Sequence, residues 1–198
     1  MTAAREEGKV AMSGGGLEAR LRRIEDKADI EDLVVLYGFV MDERDLDGVR
    51  RLFADDATLR SHDGVFAAAG MDQILRTYQG RFDALGPTNH VSHGHVVRFD
   101  DGDPDIARGL VAGHAEVVRN DEAMLVGLRY RDVYRRTGDG WRFQDRIMSY
   151  MYYTSVRDYA EALKGPLSVR AYGDERPAHW PEALYGPSVP AWLGDFLR

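Results

Sequence analysis

Two parts of this chain carry groups that can move or polarise protons. The first is Leu33-Val34-Val35-Leu36-Tyr37-Gly38-Phe39-Val40-Met41-Asp42, an apolar run interrupted by a phenol, a glycine and an acid. The second is His90-Val91-Ser92-His93-Gly94-His95. Leu33, Leu36, Tyr37, Val40 and Met41 recur at helical spacing, which predicts a helix with one face buried against a sheet. That helix would close a deep pocket, with Tyr37 and Asp42 facing in and a histidine supplied from elsewhere. At about 100° per residue, Tyr37 and Asp42 stand about 140° apart around the axis, so they flank a site rather than stack in it. Strand alternation sets His93 and His95 on one face and His90 on the other. This division, with no Glu at a ligand-like offset after His95, argues against a metal site. Each residue also has a plainer reading: Asp42 as a solvated helix-end acid, Tyr37 as a core tyrosine with its hydroxyl at the rim, and the histidines as edge residues. His114, between Gly113 and Ala115, reads equally as a pocket residue or an ordinary barrel histidine.

The elements that must position these groups follow from periodicity. Leu17, Leu21, Ile24 and Ala28 carry helical spacing into the Tyr37 run, giving one long helix or two joined near Lys27 to Asp29. Asp45 and Asp47 are natural caps for a short helix, Gly48 to Phe53. Ala57 to Ser61 and Val65 to Ala68, split by His62-Asp63-Gly64, predict a hairpin at a sheet edge. Ile74, Leu75, Tyr78 and Phe82 predict a covering helix, Met71 to Leu85, stopped by Gly86-Pro87. Residues 90–99, 106–119, 123–136 and 141–153 then read as four consecutive antiparallel strands. In the last of these, Trp141, Phe143, Asp145, Ile147, Ser149, Met151 and Tyr153 share one face. Helices followed by a long meander make an α+β domain, a cone-shaped barrel whose curved, mostly antiparallel sheet wraps around the N-terminal helices.

Composition narrows the function. The 198 residues, 44% hydrophobic, suit one domain. Residues 1–16 have the make-up of a flexible leader, 17–153 form the domain, and 154–198 form an aromatic, proline-rich extension that straps the pocket or contacts another subunit. Net charge is −7, with 26 basic residues scattered among 33 acids, which removes the footprint of a nucleic-acid binder. The absence of cysteine excludes disulfides, thiolate metal sites and a Cys nucleophile. No run reaches membrane-spanning length and no signal peptide is evident, so the expected location is the cytoplasm.

The helix with Tyr37 and Asp42, then Asp45-Leu46-Asp47, Leu52-Phe53-Ala54-Asp55-Asp56-Ala57 and the His90 strand together resemble the SnoaL-like branch of the nuclear transport factor 2 superfamily. The resemblance runs from residue 17 to residue 153. It implies an Asp42–His90 catalytic pair, with Tyr37 matching a tyrosine of the bile-acid dehydratase pattern, and His93 and His114 near further histidines of dehydratase members. Phe39, Met41, Tyr130 and Tyr150 would line the substrate pocket. The implied activity is elimination of water from a hydrophobic cyclic hydroxy-carbonyl compound, without metal or organic cofactor, in a homo-oligomer (trimer or dimer). A polyketide-type cyclase or isomerase using the same pair, or a non-catalytic small-molecule binding module, are the alternatives.

Overall fold

The computed structural model describes residues 14–165, 167–169, 174–185 and 188–197. Most of the expected leader lies outside them, as do Pro166, Tyr172 and Pro187 of the extension. The chain runs α1 (Gly14–Asp42), α2 (Leu46–Leu52), β1 (Phe53–Ser61), β2 (Ala67–Ala69), α3 (Met71–Ala84), β3 (Leu85–Phe99), β4 (Ile106–Arg119), β5 (Glu122–Thr137) and β6 (Gly140–Ser155). The sheet order is β2-β1-β6-β5-β4-β3. Neighbours are antiparallel except β1 and β6, which run parallel. The sheet curves around the helices without closing, so the expected barrel is an open cone with β2 and β3 as its edges. Among the described residues no helix is long and apolar enough to cross a membrane.

The first helix is single and begins at Gly14, inside the expected leader. Its buried stripe is Ile30, Leu33, Val34, Tyr37 and Met41. Leu36 was expected on that face but is 51% exposed, because it stands about 100° of helix rotation from Tyr37, on the solvent side. Asp45 rather than Asp47 caps α2, its carboxylate accepting the Gly48 N–H at 2.8 Å, so the helix starts two residues earlier than expected. Strand β1 is not an edge, since β6 pairs with its other side. Gly86 and Pro87 fall inside β3 rather than in a turn. Proline is tolerated there because β3 lies at the edge of the sheet and its missing N–H breaks no interior ladder. Asn120 and Asp121 turn β4 into β5 with positive φ at both positions, as a tight hairpin requires.

The concave face is built from tyrosines and the space left for them. On β5, Tyr130 and Tyr134 point inward and are buried. Diagonally across from them on β4, a Cβ on Gly109 would stand 2.3 Å from the Tyr134 hydroxyl, and one on Gly113 would stand 3.2 Å from the Tyr130 ring. Bulges interrupt β6 at Gln144 and Met151, where its register against β5 shifts. Each bulge moves the following residues to the other face. The single apolar face expected for Trp141 to Tyr153 is therefore replaced. Trp141 and Phe143 are joined in the interior by Arg146, Met148, Tyr150 and Tyr153.

Helix α1 crosses β3 closely at one point. A Cβ on Gly38 would lie 3.4 Å from both the Cβ and the carbonyl oxygen of His90. One turn further on, this approach brings Asp42 against the same histidine. Gly38→Ala should therefore fold with unchanged or slightly raised stability, since a methyl group just fits and alanine favours the helix by about 1 kcal/mol. Gly38→Leu should force the helix off the strand and lower the thermal midpoint, and NMR of the His90 ring should show the contact with Asp42 lost.

Candidate active site

Asp42 ends α1, and its carboxylate is directed at β3 by three hydrogen bonds. Oδ2 accepts the backbone N–H of His90 at 2.9 Å, and Oδ1 accepts the Thr88 hydroxyl at 2.7 Å and faces His90 Nδ1 at 2.6 Å. A carboxylate can only accept here, so Nδ1 carries a proton, and in the neutral imidazole Nε2 is the nitrogen with the free lone pair. His90 itself lines the cavity enclosed by the sheet, α1 and α3. The plainer reading of Asp42 as a solvated acid does not describe this geometry.

Tyr37, Met41, Tyr130 and Tyr150 also line the cavity. The Tyr37 hydroxyl meets that of Tyr78 at 3.1 Å, and its ring stands edge-on to Tyr130 and Phe143. Burial pushes the phenols of Tyr78, Tyr130 and Tyr150 upward, so they are protonated donors at neutral pH. Tyr37 lines the cavity directly, whereas Asp42, about 140° away around the helix, is not one of its lining residues and acts on it through Thr88 and His90.

Three expected pocket residues lie elsewhere. Phe39 is 64% exposed on the outer side of α1, about 160° of helix rotation from Met41. His93 and His114 face each other across β3 and β4 on the outside of the sheet, ring centroids 6.1 Å apart. Both alternate with inward neighbours, His114 with Ala115 on β4 and His93 at an odd offset from His90 on β3, while the register slip between Ser92 and Gly94 separates His95 from His93. With one extra residue there, His90 pairs with Ala115 and His95 with Val111, both inward positions, so it is His90 and His95 that share a face. His95 lies deeper, and burial lowers its pKa. Among the described residues no group of three or more His, Asp or Glu side chains converges as a metal site.

Below the cavity lies a fully buried ion pair that sequence reasoning passed over. Arg146 donates from Nε and Nη2 to the two oxygens of Asp132 at 2.9 and 2.8 Å. Its guanidinium lies 4.1 Å from the Tyr37 ring centroid, 4.3 Å from that of Tyr130 and 3.9 Å from that of Phe143. The Tyr134 hydroxyl donates to Asp132 at 2.8 Å, so at 3.0 Å it accepts from His95 Nε2–H. Asp132 was findable: it alternates with Tyr130 and Tyr134 on the inward face of β5. Arg146 was not, because the bulge at Gln144 hides its facing.

The carboxyl-terminal extension closes one side of the mouth. Arg176 lines the cavity and donates to Asp63 at 3.1 Å, and His179 Nε2 lies 3.3 Å from the same carboxylate. His179 Nδ1 accepts the Tyr150 N–H at 2.9 Å, which leaves the ring proton on the nitrogen facing Asp63. Beyond this point Trp180 and Trp192 stack on Arg129 and Arg131 of the sheet's outer face. Burial would raise the Asp63 carboxyl, but hydrogen bonds from Ser61, Val65 and Arg176 outweigh it and hold the group at about 2.

Residues 22–147 match the SnoaL-like domain model, well over half of the chain. The chain belongs to that family. No curated protein matches this SnoaL-like chain in sequence. Among solved structures it is similar to a protein of Novosphingobium aromaticivorans described as an aromatic ring hydroxylase, at 27% identity and TM-score 0.60, covering 64% of this chain and 90% of that one. A scytalone dehydratase-like protein of the same species aligns at 18% identity and TM-score 0.59, covering 68% and 87%. The hexachlorocyclohexane dehydrochlorinase LinA-type3 of Novosphingobium barchaimii aligns at 19% identity and TM-score 0.61, covering 69% and 94%. At these last two identities the likeness is one of fold.

Two outcomes test the supports of the site. Asp132→Leu should cost about 3–5 kcal/mol in chemical denaturation by stranding the Arg146 charge, and adding Arg146→Met should recover much of it. The Asp63 contribution is present above the ordinary carboxylate range, near pH 4, and is lost as pH falls toward 2. Hydrogen-exchange protection of residues 174–185, measured against the unstructured-peptide rate at each pH, should fall across that window, and in Asp63→Asn it should already be low at neutral pH.

Proposed function

We propose that the chain is a lyase that eliminates water from a hydrophobic cyclic hydroxy-carbonyl compound, with His90 as the proton-transfer group and Asp42 as its orienting partner. The observation that carries this reading is the grip of Asp42 on both Nδ1 and the backbone N–H of His90, which leaves Nε2 as a base lining an apolar, tyrosine-rich cavity. Two of the proteins with this fold are named for eliminations, loss of water in one and of hydrogen chloride in the other.

His90 Nε2 removes the proton beside the substrate carbonyl, and Asp42 stabilises the imidazolium that forms. The electron pair of the broken C–H bond moves into an enolate, whose oxygen takes hydrogen bonds from cavity phenols such as Tyr37 and Tyr130. Collapse of the enolate forms the carbon–carbon double bond and breaks the C–O bond, and His90 returns its proton to the departing hydroxyl. Water leaves and His90 is neutral again. The cycle involves no net change in oxidation state.

Purified protein incubated with cyclic β-hydroxy ketones should give products lighter by one water, whereas a cyclase or isomerase would leave the mass of its substrate unchanged. Asp42→Asn and His90→Ala should each lower turnover by about 10² to 10⁴ with the fold retained. Unchanged turnover in both variants would remove the pair from the mechanism.

A further inference from the structure

The cavity is charged in a way the chain as a whole is not. The protein carries 33 acids against 26 Lys and Arg, yet the charged residues lining the cavity are Arg44, Arg81, Arg119 and Arg176 against Asp63 alone. A concave, low-dielectric wall of one sign concentrates its field inside the cleft. Two of these arginines are already matched at the rim. Arg44 donates to the carbonyls of Leu85 and Gly86 at 2.7 and 2.8 Å, and Arg176 pairs with Asp63 and Asp174. Arg119, the last residue of β4, also stands at the mouth.

Arg81 is different. It projects from α3 among apolar and aromatic cavity residues, with its guanidinium 4.3 Å from the Phe66 ring centroid and 5.5 Å from that of Tyr78. Its hydrogen-bond acceptor is the Met148 sulfur, 3.5 Å from Nη1. Thioether sulfur is a weak acceptor, and among the described residues no carboxylate lies within ion-pair distance of Arg81. The half-buried Arg81 guanidinium faces the cavity without a counter-ion, and stacking on rings offsets only part of the cost of that partial desolvation. Stacking covers the flat faces of the group and leaves its N–H edge for a planar, two-oxygen acceptor.

We propose that the substrate carries a carboxylate and that Arg81 binds it. The ring system then lies across the tyrosine-lined wall, and the anchored carboxylate fixes which carbon meets His90. This specificity rests on the elimination reading only for that last step; recognition of the anion stands on the cavity itself.

The test uses 2-naphthoate and its neutral isostere 2-naphthamide, neither of which can undergo the elimination, titrated calorimetrically into the full chain. Wild-type protein should bind the carboxylate about 10- to 100-fold more tightly than the amide, the range expected of a charge-assisted pair. Arg81→Gln should abolish that ratio and Arg81→Lys should keep part of it, while Arg44→Gln, Arg176→Gln and His90→Ala should leave it in place. Equal affinities for the two probes in the wild type, or no binding of naphthoate at millimolar concentration, would overturn the proposal even if Arg81→Gln did not fold. So would a preference that survives Arg81→Gln or disappears instead in Arg119→Gln. A retained preference beside absent dehydratase activity would uphold the anion site and count only against the elimination.

Discussion

The interior of this cone is organised around a charge that cannot reach water. Arg146 is wholly buried, and Asp132 outweighs the penalty that burial places on it, so the guanidinium stays ionised. Such a pair adds little net stability relative to an apolar substitute, but it is demanding in geometry. Two parallel hydrogen bonds fix the plane of the guanidinium, and the three rings around it must fit that plane. Tyr37 comes from the first helix, Tyr130 from β5 and Phe143 from β6. One ion pair thereby sets the seating of α1 on the sheet, and two of its three aromatic neighbours are walls of the cavity.

The same seating governs the proposed chemistry. Tyr37 locks α1 over the ion pair, Gly38 lets the backbone come down on β3, and Asp42 closes on His90 at the helix end. These three residues span less than two turns, so a small shift of the helix is felt at all of them. The cavity therefore rests on a buried network in which Arg146, Asp132, Tyr134 and His95 bond to one another, with Arg146 Nη1 and His95 Nδ1 left without a partner.

Much of this was legible in the sequence. The long apolar helix, the hairpin turn at Asp63-Gly64, the covering helix and the four-strand meander all follow from hydrophobic period and turn residues. Asp42 and His90 stood out because an acid ending an apolar helix and a histidine opening a strand have few bland explanations once both are placed on the same core. The misplacements within the sheet share one cause. A period of two is reset by a single extra residue, and bulges at Ser92-His93, Gln144 and Met151 leave no trace in composition. His93 and His95 were therefore assigned to one face, and Asp145 and Ile147 were placed beside Trp141 and Phe143 where Arg146 and Met148 stand. Arg81 was overlooked for another reason: it stands seven residues after Ile74 and three after Tyr78, squarely on the apolar face of α3, but a charged residue on a covering helix is easily read as solvated.

The family match ends at residue 147, while Met148, Tyr150, Tyr153 and Arg176 all contribute to the cavity wall. The proposed reactive centre and part of its entrance are thus written in separable stretches of the chain. The helix, the His90 strand and the buried ion pair lie within the shared portion, and part of the mouth is furnished by an appendage fastened through Asp63 and the tryptophans. Drift in that appendage can change which molecules are admitted while the Asp42–His90 contact stays as it is. Grafting it onto a relative would be a direct way to exchange substrate range between members of the family.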